Sequence, residues 1–168
     1  MHEIISRGKR IDNDEWAFGS FCMDALEQLN GPCGIDGFIR FFDKTAEKKK
    51  MQMYEVDRDT VGTFSGIRDE KLTKIFDGDI VKFLCYVGAI VFENGAYGLA
   101  ISGNSTFDWD YIEKEAKMAL GTSWISACRN DHFISLWEIM WNFNCEDNVC
   151  HMVEVIGNIH DNPELLEG

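Results

Sequence analysis

The sequence predicts a mainly β protein of the α+β class, with two helices inserted before a final strand. Three observations carry this. Glu93-Asn94-Gly95 stands between two alternating apolar segments, and Asn-Gly suits a type I′ turn whose twist matches the strands it joins. Residues 153–159 read V-E-V-I-G-N-I, with Val153, Val155 and Ile159 on one face at period two, the pattern of a half-buried strand. Between them lies Ser135-Leu136-Trp137-Glu138, a capping box in which Ser and Glu satisfy each other's backbone N–H groups and start a helix.

The remaining elements follow in order along the chain. Strands at 3–7 and 15–22 flank the turn cluster Asp12-Asn13-Asp14. A short helical turn over 23–29 precedes the breaker Asn30-Gly31-Pro32-Cys33-Gly34. Strands at 38–42 and 52–56 flank a basic connection. Asp57-Arg58-Asp59-Thr60 is the boundary between subdomains, dividing 1–59 from 60–168. The second part opens with a strand at 64–67. Asp77-Gly78-Asp79 then turns into a strand at 80–86, where Gly78 supplies a positive φ. The Asn-Gly hairpin joins 88–92 to 96–101.

About 104–150 is longer than a hairpin connection and carries the two helices. In the first, Asp110 and Glu113 mark the N-terminus. Trp109, Ile112, Ala116 and Leu120 share one face, and Gly121 stands at C′. In the second, Ile134 and Ile139 form a hydrophobic staple, while Trp137, Met140, Trp141 and Asn144 share a stripe. Asn162 before Pro163 ends the last strand and starts one helical turn. From that turn Leu165 and Leu166 fold back onto the strand.

The chain has 168 residues and 45% hydrophobic content, with five Trp and twelve Phe, so its core is expected to be aromatic-rich. No apolar run approaches the ~20 residues that span a bilayer. Residues 1–10 hold no apolar signal region, so a cytoplasmic location without membrane partners is expected. Cys22, Cys33, Cys85, Cys128, Cys145 and Cys150 are read as reduced thiols in that compartment.

Net charge is -13 and unevenly spread. Residues 85–168 hold three Lys and Arg against thirteen Asp and Glu. Phosphate neutralisation needs cations, so nucleic acid is excluded as a partner of that half. The only basic cluster, Lys48-Lys49-Lys50 near Arg40 and Lys44, reads as a solvated hairpin tip.

Sites of chemistry are sparse. H-E-x-x-H, the phosphate-binding loop and G-x-S-x-G are absent. Cys128, His132, Cys145, Cys150 and His151 approach zinc-ligand spacing, but Cys128 reads as a small core residue and His132 as a turn residue. The carboxylate pairs Asp57/Asp59, Asp77/Asp79 and Asp108/Asp110 read as turn and cap chemistry. No catalytic or metal-ligating residue and no cofactor is assigned. Trp137 and Trp141 are the contact candidates, since Trp is enriched in binding hot spots; beside a sheet, a stripe at this spacing is ordinarily core.

Four stretches carry a family resemblance. Arg7-Gly8-Lys9-Arg10 with Asp12-Asn13-Asp14-Glu15-Trp16 and Phe18-Gly19 resembles an opening R-G-K-x-x-D-N-x-x-W-x-x-G motif of the YopX-like family. T-V-G-T-F-S-G-I and I-F-D-G-D-I-V-K-F within 59–83 resemble its middle, V-G-A-I-V-F-E-N-G-A-Y-G-L over 87–99 its central hairpin, and 153–166 its C-terminal signature. Together they cover about half of the chain, in the expected order. The resemblance implies two β-barrel-like subdomains, the second SH3-like, and a phage or prophage origin. It implies no reaction. Three functional readings stay open: an accessory protein in the host cytoplasm acting through protein contacts or self-association, an acidic mimic that inhibits a host DNA-binding protein, and a small-ligand binder or enzyme with a site between the subdomains.

Overall fold

The computed structural model describes residues 5–22, 37–43, 50–101, 107–116, 123–143 and 145–167. The expected helical turn at 23–29, the breaker at 30–34, Lys44, Lys48, Lys49, Leu120, Gly121 and Asn144 lie outside them. Two units are present, residues 1–64 and 65–168.

In the first unit, β1 (Ser6–Lys9), β2 (Trp16–Cys22), β3 (Gly37–Asp43) and β4 (Lys50–Val56) form an antiparallel meander. The β1–β2 turn contains Asp14 at φ 59. The Asn13 side chain accepts from the Glu15 N–H, the local bonding that favours Asn in turns. Ala17, Ile39 and Val56 form the buried core, with Phe21, Tyr54 and Val61 against it. A 3₁₀ turn, Arg58–Thr60, follows; Asp57 caps it by accepting from the Asp59 N–H. The start of β5 (Gly62–Asp69) pairs with β1 at Ser6↔Thr63 and Arg7↔Gly62. One bridge, Arg10↔Val56, ties the end of β4 to the end of β1.

In the second unit, β5 ends beside β6 (Lys74–Phe76). A five-stranded sheet follows, built from β7 (Asp79–Phe83), β8 (Tyr86–Glu93), β9 (Ala96–Ala100), β10 (Phe133–Ser135) and β12 (Val153–Asn158). Its order is β10-β9-β8-β7-β12, antiparallel throughout. The short β11 (Val149–Cys150) instead pairs parallel with β5. The helices α1 (Trp109–Glu115), α2 (Ser123–Asp131) and α3 (Leu136–Asn142) lie between β9 and β11. The core collects Val81, Phe83, Ile90 and Leu99 from the sheet, with Ile112, Ile125, Ile139 and Phe143 from the helical segment.

Several expectations need correction. The mainly β class holds, but apart from the Arg10↔Val56 bridge no ladder among the described residues closes either sheet into a barrel. Closure depends on pairing between distant strand edges, which local patterning does not report. Three helices replace the expected two. α2 escaped because Ser, Asn, Asp and Cys are weak helix formers, although Trp124, Ile125 and Cys128 are spaced as one face.

The strand expected over 80–86 is two strands. Phe83 pairs with Tyr86 around a two-residue turn, and Leu84 adopts φ 54 there without a glycine to signal it. The first helix is capped by Asp108, which accepts from the Tyr111 N–H, rather than by Asp110. In β12 the register shifts between Val155 and Gly157. This bulge ends the simple alternation, so Val153 is buried while Ile159 is exposed.

The Asn-Gly hairpin has the expected form. Glu93 pairs with Ala96, and Asn94 (φ 51) and Gly95 (φ 81) both take positive φ, as type I′ requires. At the C-terminus, Pro163–Leu166 forms a 3₁₀ turn. A Cβ at Gly157 would lie 3.0 Å from a Leu165 methyl, so the turn does fold back onto the strand.

Candidate functional site

The best-defined candidate surface is built on α3. Ser135 Oγ accepts from the Glu138 N–H at 3.1 Å, and Glu138 Oε2 accepts from the Ser135 N–H at 3.0 Å. This reciprocal pair sets the helix start. Ile134 and Ile139, the staple residues, are both buried. Leu136, Ile139, Met140 and Phe143 face the core, and Phe143 meets Phe83 edge-to-face at 5.4 Å. At the far end the Cys145 N–H donates to the Met140 carbonyl.

With that face buried, the other is left in solvent. Trp137 is 66% exposed and Trp141 48%. Their rings stack at a 6.1 Å centroid distance and 27°. The core alternative for this pair is thereby corrected. The helix carries two adjacent apolar stripes, and the one containing Ile139 and Phe143 takes the core. Four residues separate the two indoles, which is why they meet on one face. Asp131, Glu146 and Asp147, all exposed, stand in the segments on either side of the helix.

The cysteine and histidine candidates separate into different roles. Cys145 and Cys150 are brought together, with sulfurs 3.8 Å apart. Cys128 is buried in α2, and burial first, then the nearby Glu138 carboxylate, pushes its thiol up to about 12. His132 is an exposed turn residue at φ 51, its carbonyl accepting from the Ile101 N–H. His151 is exposed. Among the described residues no three His, Cys, Asp or Glu side chains converge as metal ligands would.

The carboxylate pairs work locally. Asp57 and Asp108 cap their helical turns, and Asp79 accepts from the Phe76 N–H at 2.7 Å. Asp110 pairs with Arg129 at 2.8 Å.

Two concavities were not anticipated from the sequence. One, of about 260 Å³, is lined by Cys85, Tyr86, Phe107, Asp108 and Ile112. Its aromatic wall is Tyr86 and Phe107, 4.7 Å between ring centroids, and Phe107 meets Trp109 at the same distance. The other, of about 240 Å³ and more open, lies beside Lys82, His151 and Glu154. Both fall below the ~300–1,000 Å³ usual for ligand sites, so the tryptophan surface remains the stronger candidate. No helix among the described residues is long and apolar enough to cross a membrane.

A search of curated proteins returns no match to this chain. The family model described as YopX protein matches residues 37–167. That span takes in the middle, hairpin and C-terminal motifs and leaves the opening motif, 7–19, outside it. The match covers more than three quarters of the sequence, and the chain belongs to the YopX protein family.

Proposed function

We propose that this protein acts by binding another protein through Trp137 and Trp141, as a phage- or prophage-encoded accessory factor in the host cytoplasm, without catalysing a reaction. The observation that carries this is the stacked, exposed indole pair on a helix whose opposite face is locked in the core. Placing two large apolar rings in water gains nothing for folding; removing them from water favours association.

The partner surface is basic and partly apolar. Residues 65–168 carry seventeen Asp and Glu against seven Lys and Arg, a field that draws cations. Arg and Lys also stack favourably on indole faces. The same charge favours a second reading, in which the acidic unit occupies the DNA-binding surface of a host protein. Double-stranded DNA then competes for the captured partner, whereas under the first reading it does not.

The test uses the parent and the W137A/W141A double variant as parallel baits in host lysate. The expected result is a basic protein held by the parent and weakened at least ~10-fold by the variant, with an unchanged melting temperature. Sedimentation of both baits alone reads self-association. Identical partners and affinities for parent and variant would remove the tryptophan pair from the function.

A further inference from the structure

We propose that Cys145 and Cys150 form a thiol–disulfide exchange site, with Cys145 as the attacking thiol, Cys150 as the resolving thiol, and a low-molecular-weight disulfide such as oxidised glutathione as the substrate. The inference stands independently of the binding surface described above. Three geometric observations support it. The sulfurs are 3.8 Å apart, in contact and ~1.8 Å from bonding distance. The two thiols differ in burial: Cys145 is half-buried, whereas Cys150 is fully buried. The segment between them is already folded back. Asp147 and Asn148 take φ 53 and 57, and the Val149 N–H donates to the Glu146 carbonyl at 2.9 Å.

The electrostatics run in the same direction. Cys145 is drawn down to about 6, first by its hydrogen bond with Cys150, then by the backbone N–H groups of His151 and Met152. Burial opposes this and is outweighed. Cys150 moves up, through the neighbouring sulfur and through burial. The two shifts run in opposite directions, so Cys145 is the readier of the pair to become the thiolate, the nucleophilic form. By contrast, Cys128 is buried and held near 12.

The chemistry balances in two exchanges. The Cys145 thiolate attacks one sulfur of the glutathione disulfide. A mixed disulfide forms, and one glutathione thiolate leaves and takes a proton from water. Cys145 is now neutral, so the charge that held the Cys150 proton is gone. Cys150 loses its proton to water and attacks the Cys145 sulfur, and the second glutathione leaves. Two protein thiols are oxidised, and one disulfide is reduced to two thiols.

The experiment treats the fully reduced, full-length chain with graded ratios of oxidised to reduced glutathione, followed by acid quench, digestion and peptide mass mapping. The expected product is a Cys145–Cys150 linked peptide lacking two hydrogens, restored by dithiothreitol. Cys150→Ser should instead accumulate a single glutathionyl group on Cys145, and Cys145→Ser should leave Cys150 unmodified. Mapping on the parent chain needs no variant to fold. Oxidation that spares this pair while modifying exposed Cys85 overturns the proposal. So does a Cys145 adduct in the parent chain that never resolves to the linked peptide.

Discussion

Asp69 is completely buried and holds two parts of the second unit together. One carboxylate oxygen accepts from the Lys71 N–H at 2.9 Å and the Thr73 N–H at 2.7 Å, fixing the turn after β5. The other accepts from the Val155 N–H at 3.0 Å, reaching β12. A buried carboxylate is costly unless its lone pairs are satisfied, and here backbone donors satisfy both oxygens. Asp69→Ala leaves three N–H groups without this acceptor and should cost about 3 kcal/mol. Asp69→Asn keeps one carbonyl oxygen and should lose less. Urea unfolding of the three proteins measures this, and equal stability for Ala and parent would show that the carboxylate contributes nothing net. Nothing in Arg68-Asp69-Glu70-Lys71 marks this aspartate, because its partner in β12 is far along the chain. Trp137 and Trp141 were legible as a pair, since spacing alone places them together. Which stripe of α3 faces the core was not, because Ile139 and Phe143 compete for it. The meeting of Cys145 and Cys150 depends on a turn through Asp147 and Asn148 that their spacing does not specify.

Elements were legible where composition dictates a backbone state. Asn94-Gly95 specified its hairpin, and Ser135 with Glu138 specified the start of α3. Elements defined by distant partners were not: β6, β10 and β11 are two or three residues long and exist through pairing. Two glycines separate the kinds of constraint. At Gly98 a Cβ would lie 2.3 Å from the Phe133 ring and 2.5 Å from the Ile134 carbonyl oxygen. β10 must then move, so Gly98→Ala should cost about 2–3 kcal/mol. At Gly95 a Cβ meets nothing within 4 Å, but φ is +81, so Gly95→Ala should cost only about 1–2 kcal/mol of backbone strain. Denaturant midpoints rank the two, and a reversed order would show that β9 and β10 separate cheaply. The terminal strand gives a related test. Cutting after Met152 removes buried Val153, the pairing of β12 with β7 and one donor to Asp69. Burial of one such valine alone is worth ~1.5–3 kcal/mol, a large share of a typical net stability of ~5–15 kcal/mol. Cooperative unfolding of the second unit should be lost, whereas removing Glu167 and Gly168 should change nothing. A parent-like melt after the longer cut would make β12 an appendage.

Charge acts at the scale of the whole molecule. In residues 65–168 acidic side chains outnumber basic ones by seventeen to seven. Two side-chain ion pairs of that unit, Lys71–Glu154 and Arg129–Asp110, lie at the surface. Exposed pairs contribute ~0–1 kcal/mol each, too little to offset repulsion among the surplus carboxylates. Salt therefore has a defined sign. Screening shortens the reach of repulsion from ~30 Å at 0.01 M to ~8 Å at 0.15 M, so sodium chloride over that range should raise the melting temperature by about 2–4 °C per kcal/mol of relieved repulsion. The same screening weakens the field that draws a basic partner toward the acidic unit, so association slows as salt rises. Stability and partner capture should consequently move in opposite directions across one salt series. Calorimetry on the isolated protein and association rates with the captured partner measure the two arms. If the melting temperature falls with salt, local ion pairs dominate and the excess charge is not a folding cost. If capture is indifferent to salt while the indole variant abolishes it, recognition rests on the tryptophan pair alone and the acidic field plays no part in it.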